Sequence, residues 1–304
     1  MKYDFIIKNG TVIDPGTGFV GKRDIYVKDG VVAKGDANAE CPRIIDAEGC
    51  YVTPGLIDSH THTYHGGNAM AGRPDIIFPP SCVTTALDAG SAGIGNMEGF
   101  YRDRLVWATT VKAAVGASLN GVQDPPHEEM QDPACATPEA MLPVFRKYGD
   151  FLIGIKLRVH AHVTGQWRLD AIKQARETAR ILRGEGFRCR RMIHMGPFAK
   201  DVELADVLEL LDEGDVITHV YRPENGATIL DANGKVQSCA KEARARGVIF
   251  ESGCGRSHFS LKSARKAFAD DFRPQIISTD QVHYTFFYRP SGWLLLKASI
   301  YLNL

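Results

Sequence analysis

Two textures of hydrophobic patterning divide the chain. Up to residue 53 the apolar runs are short and broken by turn pairs. Phe5-Ile6-Ile7 and Thr11-Val12-Ile13 flank Asn9-Gly10, the stretch Asp24 to Ala33 turns on Asp29-Gly30, and Arg43 to Val52 turns on Glu48-Gly49. Asn-Gly or Asp-Gly between apolar runs signals a hairpin. Residues 1–53 are therefore expected to form a small β domain without a helix. From Pro54-Gly55 onward, short buried-strand runs alternate with amphipathic stretches. The runs are Leu56–His62, Val83–Gly90, Val111–Leu119, Gly154–Val159, Arg191–Met195, Val216–Val220, Val248–Glu251 and Ile276–Asp280. Helices are predicted over Pro138–Tyr148 behind Thr137, over Asp170–Gly184, over Asp201–Asp212, and over Leu261–Phe268 behind Ser260, from apolar residues at helical spacing and capping residues at their starts. Eight strands alternating with helices predict an α/β fold, a (β/α)8 TIM barrel over residues 54–304. A doubly wound open sheet is the alternative, but no glycine-rich turn follows Leu56–His62.

Composition narrows the classes. The 304 residues suit one barrel with little attached. Lys+Arg and Asp+Glu are both 36, so no net charge points to nucleic acid. Asp4, Lys8 and Asn9 interrupt the first apolar run, which cannot serve as a signal-peptide core. No stretch approaches the ~20 apolar residues of a membrane span. The 7 cysteines are odd in number and lack a CxxC pair; they fit reduced thiols in a cytoplasmic protein better than a disulfide framework.

The polar residues at the strand ends carry the chemistry. His60 and His62 end the first barrel strand, and strand alternation turns both side chains to one face. Two neutral imidazoles at the mouth of a barrel suit a zinc-like ion; two polar loop residues are the plainer reading. Lys156 lies inside an apolar strand, where burial lowers the pKa of an amine. A neutral amine can add carbon dioxide to give a carbamate, an oxygen ligand able to bridge two metals. The plainer reading is a lysine that snorkels to the strand end. His194, His219 and Asp280 end the fifth, sixth and eighth strands, where barrel active sites lie.

The order of these residues and the local words Pro54-Gly-Leu-Ile-Asp-Ser-His-Thr-His62, Gly154-Ile-Lys-Leu-Arg158, Ile193-His-Met-Gly196, Ile217-Thr-His219 and Ser278-Thr-Asp280 resemble the amidohydrolase superfamily. The chain is most similar to its dihydroorotase-like and D-aminoacylase-like branch, in the amidohydrolase/deacetylase group of metallohydrolases. The resemblance implies a barrel flanked by a small β-sandwich. It also implies two divalent metal ions, taken as zinc: His60, His62 and Asp280 would hold one, His194 and His219 the other, and Lys156, as N6-carboxylysine, would bridge them. The implied activity is hydrolysis of an amide-type bond (an N-acyl amino acid or a cyclic amide or imide) or a related ester by metal-activated hydroxide, with Asp280 as the catalytic acid–base.

Family members usually run on after the eighth strand and return to complete the sandwich. This chain stops at Leu304, so the sandwich is expected to be incomplete, with open edges that invite pairing with another copy in a homo-oligomer. Cys254 stands where the related group often has a histidine. Tyr221, Arg222 and Asn225 follow His219 and are candidates, with Cys254, to line the site of a small-molecule substrate bearing a carboxylate; an ordinary surface loop is the alternative. His65, His160, His162, His258 and His283 also follow strands, without a ground for choosing among them. A different class of reading is a catalytically inactive scaffold or binding protein that keeps the barrel. A mononuclear deaminase is disfavoured by Lys156.

Overall fold

The structure, a computed structural model, describes residues 2–36, 40–122, 129–130, 132–223, 227–255 and 257–288. Two compact units meet in sequence between Leu56 and Ile57.

The first unit is two small sheets. Its strands are β1 (Phe5–Lys8), β2 (Thr11–Asp14), β3 (Phe19–Lys22), β4 (Ile25–Lys28), β5 (Val31–Ala33), β6 (Ile44–Asp46) and β7 (Tyr51–Val52). One sheet has the order β5-β4-β1-β6 and the other β3-β2-β7. The Asp29-Gly30 turn joins a true hairpin: both residues take positive φ, at 53° and 75°, and Lys28 pairs with Val31. The other two expected hairpins are not formed. β1 pairs with β4 and β6 while β2 pairs with β3 and β7, so Asn9-Gly10 and Glu48-Gly49 each carry the chain from one sheet to the other. Asn9 adopts φ 64°, and a Cβ on Gly10 would lie 2.4 Å from Val52 Cγ2. That close approach seats the turn against the second sheet, and the chain steps across instead of folding back. Tyr3, Ile6, Val12 and Ala47 are buried; Val20, Val31, Val32, Ile44 and Tyr51 are exposed.

The second unit holds seven parallel strands in chain order: β8 (Leu56–Thr61), β9 (Val83–Ala89), β10 (Thr110–Gly116), β11 (Leu152–Val159), β12 (Arg190–Met195), β13 (Val216–Thr218) and β14 (Ile249–Glu251). The sheet curls, and the expected eighth strand is present only as bridges. Segment 276–281 bridges Glu251 on one side and Thr61 on the other. His62 N–H donates to Gln281 O at 2.9 Å, and Ser252 N–H to Ile276 O at 3.0 Å. This is a parallel α/β barrel of the TIM type with its last strand reduced to a connector.

The helices follow the sequence cues closely. Thr137 Oγ1 accepts from Ala140 N–H to cap Pro138–Tyr148, and Ser260 Oγ accepts from Ser263 N–H to cap Leu261–Ala269. Asp170–Gly184 buries Ala171, Ile172, Ala175, Thr178, Ala179 and Leu182 along one stripe. The helix expected over 201–212 is shorter, Leu204–Glu209, because a capping box between Glu203 and Asp206 starts it late. No described helix is long and apolar enough to cross a membrane.

At the N-terminal end of the barrel strands, Arg191 is fully buried. Its backbone N–H donates to Asp215 Oδ1 at 3.0 Å, and Nη2 reaches Leu210 O, Asp212 Oδ2 and Asp215 Oδ2. This buried charge pair serves the barrel's stability, since the chemistry of such folds sits at the opposite face.

Candidate metal centre

All six side chains singled out as metal ligands come together at the C-terminal ends of the strands. Lys156 Nζ lies 3.0 Å from His60 Nε2. Asp280 Oδ1 lies 3.5 Å from His60 Nε2 and 3.3 Å from His62 Nε2. His219 Nε2 lies 2.8 Å from His194 Nδ1, and the His60 and His219 rings are 5.0 Å apart. The tightest donor groups differ from the implied division of ligands. One is His60, His219 and Asp280; the other is His194, His219 and His258. His219 thus belongs to both, and His258 joins the second.

Backbone strain marks the site. His219 and Asp280 take φ of 68° and 52°, the left-handed region that non-glycine residues seldom enter. Such conformations cost about 1–3 kcal/mol each and persist where the surrounding structure enforces them. Here Gly255 N–H donates to Thr279 O and Thr279 N–H to Asp58 Oδ1 before Asp280, and His62 N–H donates to Gln281 O after it, clamping the chain on both sides.

Hydrogen bonds fix which imidazole nitrogen faces inward. His60 Nδ1 is 3.0 Å from Glu251 Oε2 and 3.1 Å from Thr218 Oγ1; a carboxylate can only accept, so Nδ1 carries the proton. His219 Nδ1–H donates to Gly253 O in the same way, and His62 Nδ1 meets Ser91 Oγ at 3.0 Å. In His60 and His219 the bare Nε2 then points to the cluster. Outer partners that set the tautomer are the usual second layer of a metal site. His194 Nε2 is buried with no hydrogen-bond partner among the described residues.

The electrostatics agree. Burial holds the His60, His194 and His219 imidazoles below their ordinary pKa, so they stay neutral and keep lone pairs to donate. Burial alone would raise the Asp280 carboxyl, but His60 and hydrogen bonds from His258 and His62 hold it well below the carboxylate range. Burial pushes Lys156 down to about 8, which leaves a minority of the amine neutral and nucleophilic near physiological pH. Burial, aided by Arg158, pushes His160 down to about 3. Neutral imidazoles, a carboxylate, an amine that can become a carbamate and an orphaned inward nitrogen make a donor set that fits divalent cations of the zinc type.

A cavity of ≈ 290 Å³ opens beside the cluster, lined among others by His62, Lys156, Arg158, His160, His258 and Asp280. The candidate substrate residues fare differently. Tyr221 does not line the cavity: it is fully buried and its hydroxyl donates to Phe272 O at 2.8 Å. Cys254 is likewise buried away from the lining. Tyr221 is a candidate by its proximity to His219 in the chain and Cys254 by the resemblance, but the strand ends turn both side chains into the wall. Arg222 is half-buried, and its Nη1 lacks a partner among the described residues. Asn225 lies outside the described residues. Sequence reasoning left His258 undistinguished: its Nδ1 sits 3.0 Å from Asp280 Oδ2, and its ring is 4.1 Å from that of His219. Its signal was only that it follows a strand, as four other histidines do. Glu251, the partner of His60, carried no signal beyond ending β14.

Fold and site together define a barrel of the amidohydrolase type. Residues 43–129 match the family model described as the amidohydrolase family. A deacetylase of Agrobacterium fabrum is 30% identical over 260 residues, which is 83% of this chain and 61% of the relative. The chain thus spans about three fifths of that relative's length. Among solved structures, a dihydroorotase superposes with a TM-score of 0.84 at 27% identity, covering 98% of this chain and 77% of that one. An adenine deaminase superposes with a TM-score of 0.86 at 27% identity, covering 98% and 78%. The chain belongs to the amidohydrolase superfamily.

Proposed function

We propose that the chain is a metal-dependent hydrolase that cleaves an amide-type bond, in an N-acyl amino acid or a cyclic amide, or a related ester. Convergence of the six ligand candidates, with outer hydrogen bonds fixing the His60 and His219 tautomers, is the observation that carries this reading. His60, His62, His194, His219 and Asp280 would hold two divalent ions, zinc by donor type, with Lys156 as N6-carboxylysine between them. Ions bound there would supply Lewis acidity and make water nucleophilic near neutral pH.

The chain's own groups then do the rest. Asp280 is held ionised, so a carboxylate oxygen can take the proton from the attacking water and give it to the leaving group. His258, bonded to Oδ2, orients it. A leaving amine needs that proton, which favours amide substrates. Arg222, outside the cavity lining but within electrostatic reach of His160, is the remaining candidate cation for a substrate carboxylate. The deacetylase and dihydroorotase relatives support acyl substrates of this kind. The same reading keeps a cytoplasmic homo-oligomer acting on small molecules.

The test is a screen of N-acyl amino acids, cyclic amides and acylated hydroxy acids with protein purified without chelator. Turnover of at least one class is expected, lost on treatment with a chelator and restored by zinc. Turnover that survives complete metal removal would overturn the mechanism.

A further inference from the structure

We propose that His160 is a substrate-contacting residue whose ring N–H donates to the acyl carbonyl oxygen and to the oxyanion formed from it. The inference rests on the hydrolase reading for its substrate, and on the following geometry for the residue.

Strand alternation puts Lys156, Arg158 and His160 on one face of β11 and its end, and all three line the cavity. Lys156 belongs to the metal cluster, and Arg158 is paired through Nε to Glu129 at 3.1 Å. His160 is different. It is only 8% exposed, and neither Nδ1 nor Nε2 has a hydrogen-bond partner among the described residues. A buried polar group without a partner is costly, and both ring nitrogens of a histidine left so call for a missing partner. The ring lies 4.6 Å from that of His194, which places it at the edge of the cluster where the scissile group must sit.

Space for the ring is also built in. A Cβ on Gly196 would lie 1.9 Å from His160 Nε2, so only glycine there lets the ring take this place. A neutral imidazole offers one N–H donor, suited to an oxygen that gains negative charge as the reaction proceeds. A contact that strengthens toward the oxyanion acts on kcat more than on KM.

The experiment compares wild type with His160→Phe and His160→Gln by elemental analysis, by turnover on the best substrate of the screen, and by calorimetric binding of methylphosphonate, a tetrahedral anion. With metal content unchanged, His160→Phe is expected to weaken methylphosphonate binding at least about tenfold and to lower kcat with little change in KM, effects of the size a donor to an oxyanion provides. His160→Gln, which keeps an N–H donor, is expected to recover part of both. Equal binding and turnover in His160→Phe would overturn the proposal. So would loss of metal from both variants, which would make His160 a support for His194, or failure of wild type to bind methylphosphonate. If wild type binds it, His160→Phe does not, and no substrate of the screen is turned over, the contact stands and the hydrolase reading falls.

Discussion

Replacing Asp280 with Asn should lower kcat by about 10²–10⁴-fold, the range a positioned general acid–base contributes. The substitution isolates chemistry from structure unusually well. Asp280 sits at φ 52°, and asparagine is among the few residues that enter this region readily. The side chain keeps its shape and a carbonyl oxygen toward His60 and His62, while the group that carries a proton from water to leaving group is gone. The variant must be read beside its metal content. If the metal stays and turnover survives within about tenfold, Asp280 is a ligand only and the proton passes elsewhere.

Arg191→Met should destabilise the protein by about 3–5 kcal/mol without touching the site. Arg191 and Asp215 are 0% and 1% exposed in their side chains, and Asp215 also accepts from the backbone N–H groups of Arg191 and Asp212. Removing the cation leaves a carboxylate buried without its counter-charge, and that penalty exceeds what the ion pair itself contributes. Against a total stability of about 5–15 kcal/mol, most of the margin would go. Urea unfolding followed by circular dichroism measures it. The double variant Arg191→Met, Asp215→Asn should regain a large part, because no unpaired charge then remains. A single-variant loss under about 1 kcal/mol would show that Asp215 finds water or another cation there.

The barrel was legible because its strands are buried on both faces and its helices carry regular stripes; both patterns are local. The cluster of candidate ligands was legible for a related reason. His60 and His62 share a face by strand alternation alone, and Lys156 stands out as a charge in an apolar run. Loop geometry was less legible. Which sheet each arm of Asn9-Gly10 joins depends on β4, β6, β3 and β7, which lie far along the chain. Phe19–Lys22 was missed as a strand since Gly21 weakens its pattern. His258 reaches Asp280 only through the path of the loop after β14, and Tyr221 is turned from the cavity by its bond to Phe272. Nothing periodic encodes either. The last barrel strand shows a further limit: Ile276–Asp280 reads as a strand, but the left-handed turn at Asp280 and single bridges to Thr61 and Glu251 leave it irregular.

The central claim is a pair of cations bridged through Lys156, and counting metals tests it most directly. Protein purified without chelator, wild type beside Lys156→Ala, is analysed for metal by mass spectrometry. The account predicts about two zinc-type ions per chain in wild type and a sharp fall in the variant. Folded wild-type protein that holds no metal, or a variant that keeps the full complement, would contradict it.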